Sequence, residues 1–304
     1  MNSPCGVINI YKERGYTSHD VVAIVRKILN TKKVGHTGTL DPNAEGVLPI
    51  CIGKATKVAS LITDGTKRYV AVVHLGLETD TEDITGSTIR EKDVIIDKEE
   101  IENIVSSFKG KISQTPPMYS AIKVEGKKLY ELAREGKTIE RKSREVHIFE
   151  IKVLDFLNDN KFRIEVLCSK GTYIRTLCKD IGEKIGCGAC MGELTRVSSG
   201  EFHICKSIKL DELKRLAEDA KLENAIIGFE RIFKDVKRVS VKSEANKFLY
   251  NGNKISENYL IIEKSELSVE EEILIYDDQE NLIGLYEVII ERQKKAVKPI
   301  IMLN

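Results

Sequence analysis

Asp41 lies in the stretch GHTGTLDPNAEGVLP, residues 35 to 49, whose three glycines and two prolines require a loop with left-handed or closely approached backbone. An aspartate before a proline commonly starts a turn or caps a helix. The same carboxylate on a glycine-dense loop beside His36, Thr37 and Thr39 is also how a chain presents an acid to a ligand. There it could act as nucleophile, base or charge stabiliser. Arg175 is a second candidate, because Gly171 and Thr172 place it in the first turn of a helix, where the macrodipole is positive and a cation needs an anion nearby. It falls off that helix's apolar face, so a solvated surface arginine is the plain alternative. Tyr69 and Tyr173, taken by themselves, read as core or strand aromatics.

Other constellations fall short of a chemistry. Gly46 to Lys54 suggests a phosphate loop, but Gly46 and Gly53 are seven apart rather than five and Ala55 follows the lysine where Ser or Thr is required. Cys187 and Cys190 form a single C-x-x-C with no second pair at zinc spacing, so ordinary thiols at a helix end are expected. The five histidines, at 19, 36, 74, 147 and 203, are scattered, and no metal-dependent mechanism is expected.

The elements that must position these residues follow from periodicity. Residues 6 to 10 (GVINI) predict a short buried strand, and Ser18 a cap for a helix with Val21, Ile24, Val25, Ile28 and Leu29 on one face. After the 35 to 49 loop comes a helix from about 54 to 62, then a strand at 69 to 75. An acidic loop leads to a helix near 98 to 108. Pro116 and Pro117 exclude helix from the segment after it, and a short basic helix at 128 to 136 ends at its glycine. Strands at about 146 to 156 and 162 to 168 precede a helix from about 172 to 185, and 211 to 220 is again helical. From about 236 the pattern turns to short strands, with a hairpin at 273 to 288 around Asp277 to Asn281. The expected architecture is α+β: a mixed-sheet domain at 1–235 with an inserted excursion at about 108–144, and a small β-rich domain at 236–304.

Composition agrees with a folded two-domain chain. Its 304 residues are 41% hydrophobic, and 48 basic against 47 acidic side chains leave a net charge of +1. The average hides blocks. Residues 12 to 68 carry ten basic and five acidic side chains, 108 to 144 ten and four, and 78 to 102 between them three and ten. A polyanion such as RNA contacts local patches, so the balanced total does not exclude one. No stretch approaches the ~18 uninterrupted apolar residues of a membrane span. Nor does MNSPCGVINIYKER have the form of a leader, and seven cysteines spread over a long chain suggest reduced thiols. A soluble, cytoplasmic protein is expected.

The motifs GHTGTLDPNAEGVLPICIGKATK (35 to 57), KRY (67 to 69), QTPPMYSAIKVEGKKLYELAREG (114 to 136) and CSKGTYIRTLCKDIGEKIGCGA (168 to 189) span most of the first 200 residues. Together they resemble the bacterial tRNA pseudouridine-55 synthases, the stand-alone family that isomerises the T-loop uridine of tRNA. More weakly, NGNKI and LIGLYEV in the tail resemble the small PUA-type RNA-binding domain that ends such proteins.

The resemblance implies a pseudouridine synthase catalytic domain and a cofactor-independent isomerase acting on a flipped-out base. It implies tRNA as partner, through its T-arm, no metal, no obligate protein partner and a monomer. Matched position by position, Asp41 corresponds to the catalytic aspartate, Tyr69 to the tyrosine that stacks on the base and is placed to handle the C5 proton, and Arg175 to the arginine paired with the aspartate. His36, Tyr173 and Leu194 correspond to positions that line the substrate pocket or support the opened T-loop. Glu13 stands where the family's N-terminal motif carries proline, which bears on the rigidity of that turn. Other readings stay open: a non-catalytic RNA-binding or tRNA-folding protein, and an RNA-guided pseudouridine synthase of the same superfamily. A glycoside-cleaving hydrolase ranks last, since the loop offers only Glu45 as a second acid.

Overall fold

The computed structural model describes residues 4–124, 126–262 and 267–303, so Glu125 within the third motif and Glu263 after the YLII run lie outside the described residues. In chain order the first sheet is built from β1 (Gly6–Lys12), β2 (Val34–His36), β3 (Glu45–Ile52) and β4 (Lys67–Leu75). A side hairpin, β5 (Leu77–Thr79) with β6 (Thr88–Glu91), interrupts it. It resumes with β7 (Gly110–Gln114), and after a second small hairpin of β8 (Lys123–Val124) and β9 (Lys127–Lys128) and the short helix α4 (Leu129–Arg134) continues through β10 (Arg144–Asn158), β11 (Lys161–Cys168), β12 (Ala189–Ser199) and β13 (Phe202–His203). The spatial order is β1-β3-β12-β4-β11-β10-β7, with β2 beside β3 and β13 beside β12. Pairing is antiparallel except where β12 runs parallel to β3, over Thr195↔Glu45 and Arg196↔Gly46 only. The expected mixed sheet of an α+β fold is observed.

One face of this sheet is covered by two groups of helices. α1 (Ser18–Ile28) and α6 (Leu210–Glu218) pack Val21, Val25, Leu210 and Leu213 on Ile8, Ile10, Leu48 and Ile50. α3 (Lys98–Ser106) and α5 (Ile174–Ile185) pack Ile101, Val105, Leu177 and Ile181 on Ala71, Val73, Ile164 and Val166. Fully burying each such aliphatic side chain contributes roughly 1.5–3 kcal/mol. On the other face Val7, Val47 and Cys51 meet Phe202, Ile301 and Leu303. A second, six-stranded sheet holds β14 (Lys237–Val241), β15 (Ile255–Ser256), β16 (Leu260–Ile261), β17 (Glu272–Tyr276), β18 (Leu282–Glu291) and β19 (Lys294–Met302). This β-rich tail is consistent with a PUA-like unit, and the hairpin expected at 273 to 288 is its β17–β18 pair.

Several local expectations are corrected. The cap of α1 is Thr17 rather than Ser18: the Thr17 hydroxyl accepts from the Asp20 amide at 3.0 Å and the Asp20 carboxylate accepts from the Thr17 amide at 2.8 Å, a reciprocal capping box. The segment expected as helix over 54 to 62 is a 3-10 turn, Gly53–Val58, followed by the short α2 (Ala59–Thr63). The acidic stretch is not plain loop but carries the β5–β6 hairpin. The loop read over 35 to 49 ends at residue 44, and Val47, Leu48 and Pro49 belong to β3. Pro49 is tolerated because its missing N–H faces the side on which β2 has already ended, while its carbonyl accepts from Thr37 N at 3.1 Å. The central strand β12 was not expected at all.

Candidate active site

The turn that carries Asp41 is tied down at almost every residue. Thr37 is held by Pro49 O, and Leu40 N donates to the Ser18 hydroxyl at 2.9 Å, which in turn donates to Leu40 O at 3.2 Å. Asp41 O accepts from Ala44 N at 3.1 Å, closing the turn that an Asp-Pro pair favours. Pro42 O accepts from Gly15 N at 2.9 Å and from the Lys12 ammonium at 3.2 Å. Lys12 is fully buried, donates to the carbonyls of Glu13 and Tyr16 as well, and has its pKa pressed down to about 8, chiefly by burial. The Glu13 carboxylate pairs with Lys209 at 2.9 Å, an exposed ion pair that adds little to the rigidity of this turn. Such a backbone fixes the direction of the Asp41 carboxylate, which is itself 40% exposed.

Arg175 is 5% exposed, and the surface-arginine alternative is overturned. From the first turn of α5 its Nε reaches Asp41 Oδ2 at 3.0 Å. Its two terminal nitrogens donate to Thr81 O at 3.0 Å and Tyr119 O at 2.7 Å, and Asp83 Oδ2 lies 3.9 Å away. The anion that the helix dipole requires is therefore present twice. Asp83 was missed by sequence reasoning. Its other oxygen accepts from the Thr85 amide and from the Thr81 and Thr85 hydroxyls, an Asx-turn whose signal was the TEDIT spacing inside the acidic block.

Tyr69 and Leu194 meet Leu40 and Ala44 in the core cluster beneath the turn. Burial raises the Tyr69 pKa, and the facing Arg196 guanidinium opposes that rise through its charge and a donated hydrogen bond. Arg196, 1% exposed, is the second residue that was missed, because it sits on the strand that was missed. His36 lies at the entry to the turn, edge-on to His19 at 5.4 Å, with its pKa lowered by burial and then by the His19 charge. Tyr173 is the residue before α5, where the buried Gln114 side chain substitutes for a cap: its Oε1 accepts from Tyr173 N at 2.8 Å and its Nε2 donates to Tyr173 O at 3.0 Å. The Arg144 guanidinium lies over the Tyr173 ring, 4.9 Å from its centre. Asp41 and Arg175 are thus in direct contact and Tyr69 and Leu194 share one buried cluster, whereas His36 and Tyr173 flank these groups. Among the described residues no three His, Cys, Asp or Glu side chains gather as metal ligands, and Cys187 and Cys190 are buried free thiols.

A family model described as TruB family pseudouridylate synthase, N-terminal domain, matches residues 26–174, and one described as tRNA pseudouridylate synthase B C-terminal domain matches 175–234. The chain belongs to the TruB family of pseudouridylate synthases. A TruB-family relative from Alkaliphilus oremlandii, named tRNA pseudouridine synthase B, is 50% identical over 275 residues, 90% of each chain. A protein of the same name from Staphylococcus aureus is 45% identical over 302 residues, 97% of each chain. Among solved structures, a Cbf5-Nop10-Gar1 complex matches with a TM-score of 0.73 at 29% identity, covering 98% of this chain and 85% of that one. The fold is that of a TruB-type synthase, and among the described residues no helix is long and apolar enough to cross a membrane.

Proposed function

We propose that this TruB-family chain isomerises the T-loop uridine of tRNA to pseudouridine, with Asp41 as the catalytic carboxylate. The observation that supports this most is the Asp41–Arg175 contact on a fixed turn whose Leu40 and Ala44 share one core cluster with Tyr69. The reaction breaks the bond from uracil N1 to C1′, turns the base over and joins C5 to C1′. The proton leaves C5 and N1 gains one, so atoms and oxidation state balance without a cofactor. An ionised carboxylate beside C1′ and C6 serves any of the routes open to it: attack on the base, attack on the sugar, or removal of a 2′ proton. Arg175 keeps the acid oriented. Extruding the uridine from the tRNA elbow costs a few kcal/mol and is offset by stacking on Tyr69, with Leu194, Tyr173 and His36 lining the space that receives the base and loop.

In the same reading, residues 1–235 act as the catalytic unit, and the basic excursion at 108–144 and the β-rich unit at 236–304 hold tRNA phosphates. The enzyme works in the cytoplasm as a monomer without a protein partner. Relatives named tRNA pseudouridine synthase B match at 45–50% identity and chains of H/ACA complexes at 25–27%, which favours the unguided reading. The test is to incubate purified protein, without metal or nucleotide, with an unmodified tRNA transcript and map pseudouridine by carbodiimide-dependent primer extension. One stop at the T-loop uridine is expected. Binding without modification would contradict the reading and point to a tRNA-folding or guide-dependent protein.

A further inference from the structure

Arg196 occupies the middle of the first sheet, at the one register where three segments of the site converge. Across β4 it faces Tyr69, and across the brief parallel pairing it faces Gly46. Its Nε donates to Val47 O at 2.7 Å and an Nη to Gly38 O at 3.2 Å, so one guanidinium spans both ends of the Asp41 turn. The remaining Nη lies near Gly38, and Tyr69 is the residue paired with Arg196 on the neighbouring strand. No carboxylate among the described residues pairs with it, although it is 1% exposed, and Lys12, Lys67 and His36 all feel its positive charge. An apolar side chain of the same volume would fill a sheet centre without the cost of desolvating a cation. Packing alone does not account for an arginine here.

We propose that Arg196 is a positioning residue for the isomerisation, setting the Asp41 turn and the Tyr69 hydroxyl in one mutual geometry through a single planar fork. The inference rests on the reading of Asp41 and Tyr69 as the reacting site. A fork fixes two carbonyls and a phenol relative to each other, whereas an ammonium on a flexible stem fixes one point. Being buried, Arg196 does not touch the tRNA, so its loss leaves binding in place and misplaces the groups that act on the base.

The experiment uses the full chain and four variants: Arg196→Lys, Arg196→Met, Tyr69→Phe and Asp41→Asn. Melting temperature, tRNA affinity and single-turnover rate at saturating enzyme are measured, and isotope-labelled tyrosine is read by NMR, with Tyr69→Phe identifying the Tyr69 signal. Arg196→Met is expected to bind tRNA within about threefold and to lose about 100-fold in single-turnover rate, the scale of a small misplacement of reacting groups. Arg196→Lys is expected to recover part of that, remaining about tenfold slow, with the Tyr69 ring signal shifted. A folded Arg196→Lys enzyme with an unmoved Tyr69 signal and a rate within about twofold overturns the proposal, and carries the test if the methionine variant does not fold. Asp41→Asn separates the two levels: if it stays active, the reading of the site fails; if it is inert while both Arg196 variants run normally, only the role of Arg196 fails.

Discussion

At Arg175 a buried cation is met from three sides, by the Asp41 carboxylate, by two backbone carbonyls and by the more distant Asp83. This is the pattern in which arginine and lysine are least exchangeable, because a planar group with donors on each edge is satisfied at once. Arg175→Lys is expected to reduce the single-turnover rate by about 100-fold or more with tRNA affinity nearly kept. A near-normal rate in a filter-binding and tritium-release comparison would make Arg175 purely structural. Asp41 and Arg175 stand out in the sequence because they lie in long contiguous motifs, 35 to 57 and 168 to 189, whereas Tyr69 lies in the short KRY and Leu194 beyond the quoted motifs, so both were placed by resemblance alone. Gln114 and Arg196 did not stand out, because each makes a contact distant in sequence that no local pattern encodes, Gln114 with Tyr173 and Arg196 with Gly38 and Val47; the Asx-turn of Asp83 left a local signal, but its contact with Arg175 is equally distant.

Among elements, those with clean periodicity were readable: α1, β4, α5 and the β17–β18 hairpin lie close to their expected spans. β12 failed for a physical reason. Its register shifts between Met191 and Leu194 and again between Arg196 and Ser198, so the inward positions do not alternate regularly, and one of them is an arginine. The same strand explains Gly46, at φ +105°, where an added Cβ would come within 2.3 Å of Arg196 O. Backbone strain and a backbone clash coincide there. Gly46→Ala is therefore expected to destabilise the chain by about 2–4 kcal/mol. Urea unfolding measures it, and a change below about 1 kcal/mol would mean that β3 and β12 separate more easily than their packing indicates.

Over the whole molecule, alkaline stability should show two opposing slopes. Burial lowers Lys12 and Lys67 to about 8 from 10.5, so above pH 8 the unfolded chain holds more protons at these sites and stability rises with pH. Burial raises Cys51 to about 12 and Cys168 and Cys190 to about 11 from 9.0, and Cys178 also upward. Above pH 9 the unfolded thiols ionise while the buried ones hold their protons, and stability falls. Urea midpoints are expected to climb from pH 8, turn near pH 9 and decline beyond it; a monotonic fall from pH 7 would place the two lysines in water. Over the first sheet, α5 and the acidic segment meet the Asp41 turn through Arg175. The most direct measurement is single-turnover tritium release from C5-labelled tRNA by wild type and Asp41→Asn at saturating enzyme. Both proteins are expected to bind within a few fold, with no release by the variant; measurable release by Asp41→Asn would rule out Asp41 as the catalytic group.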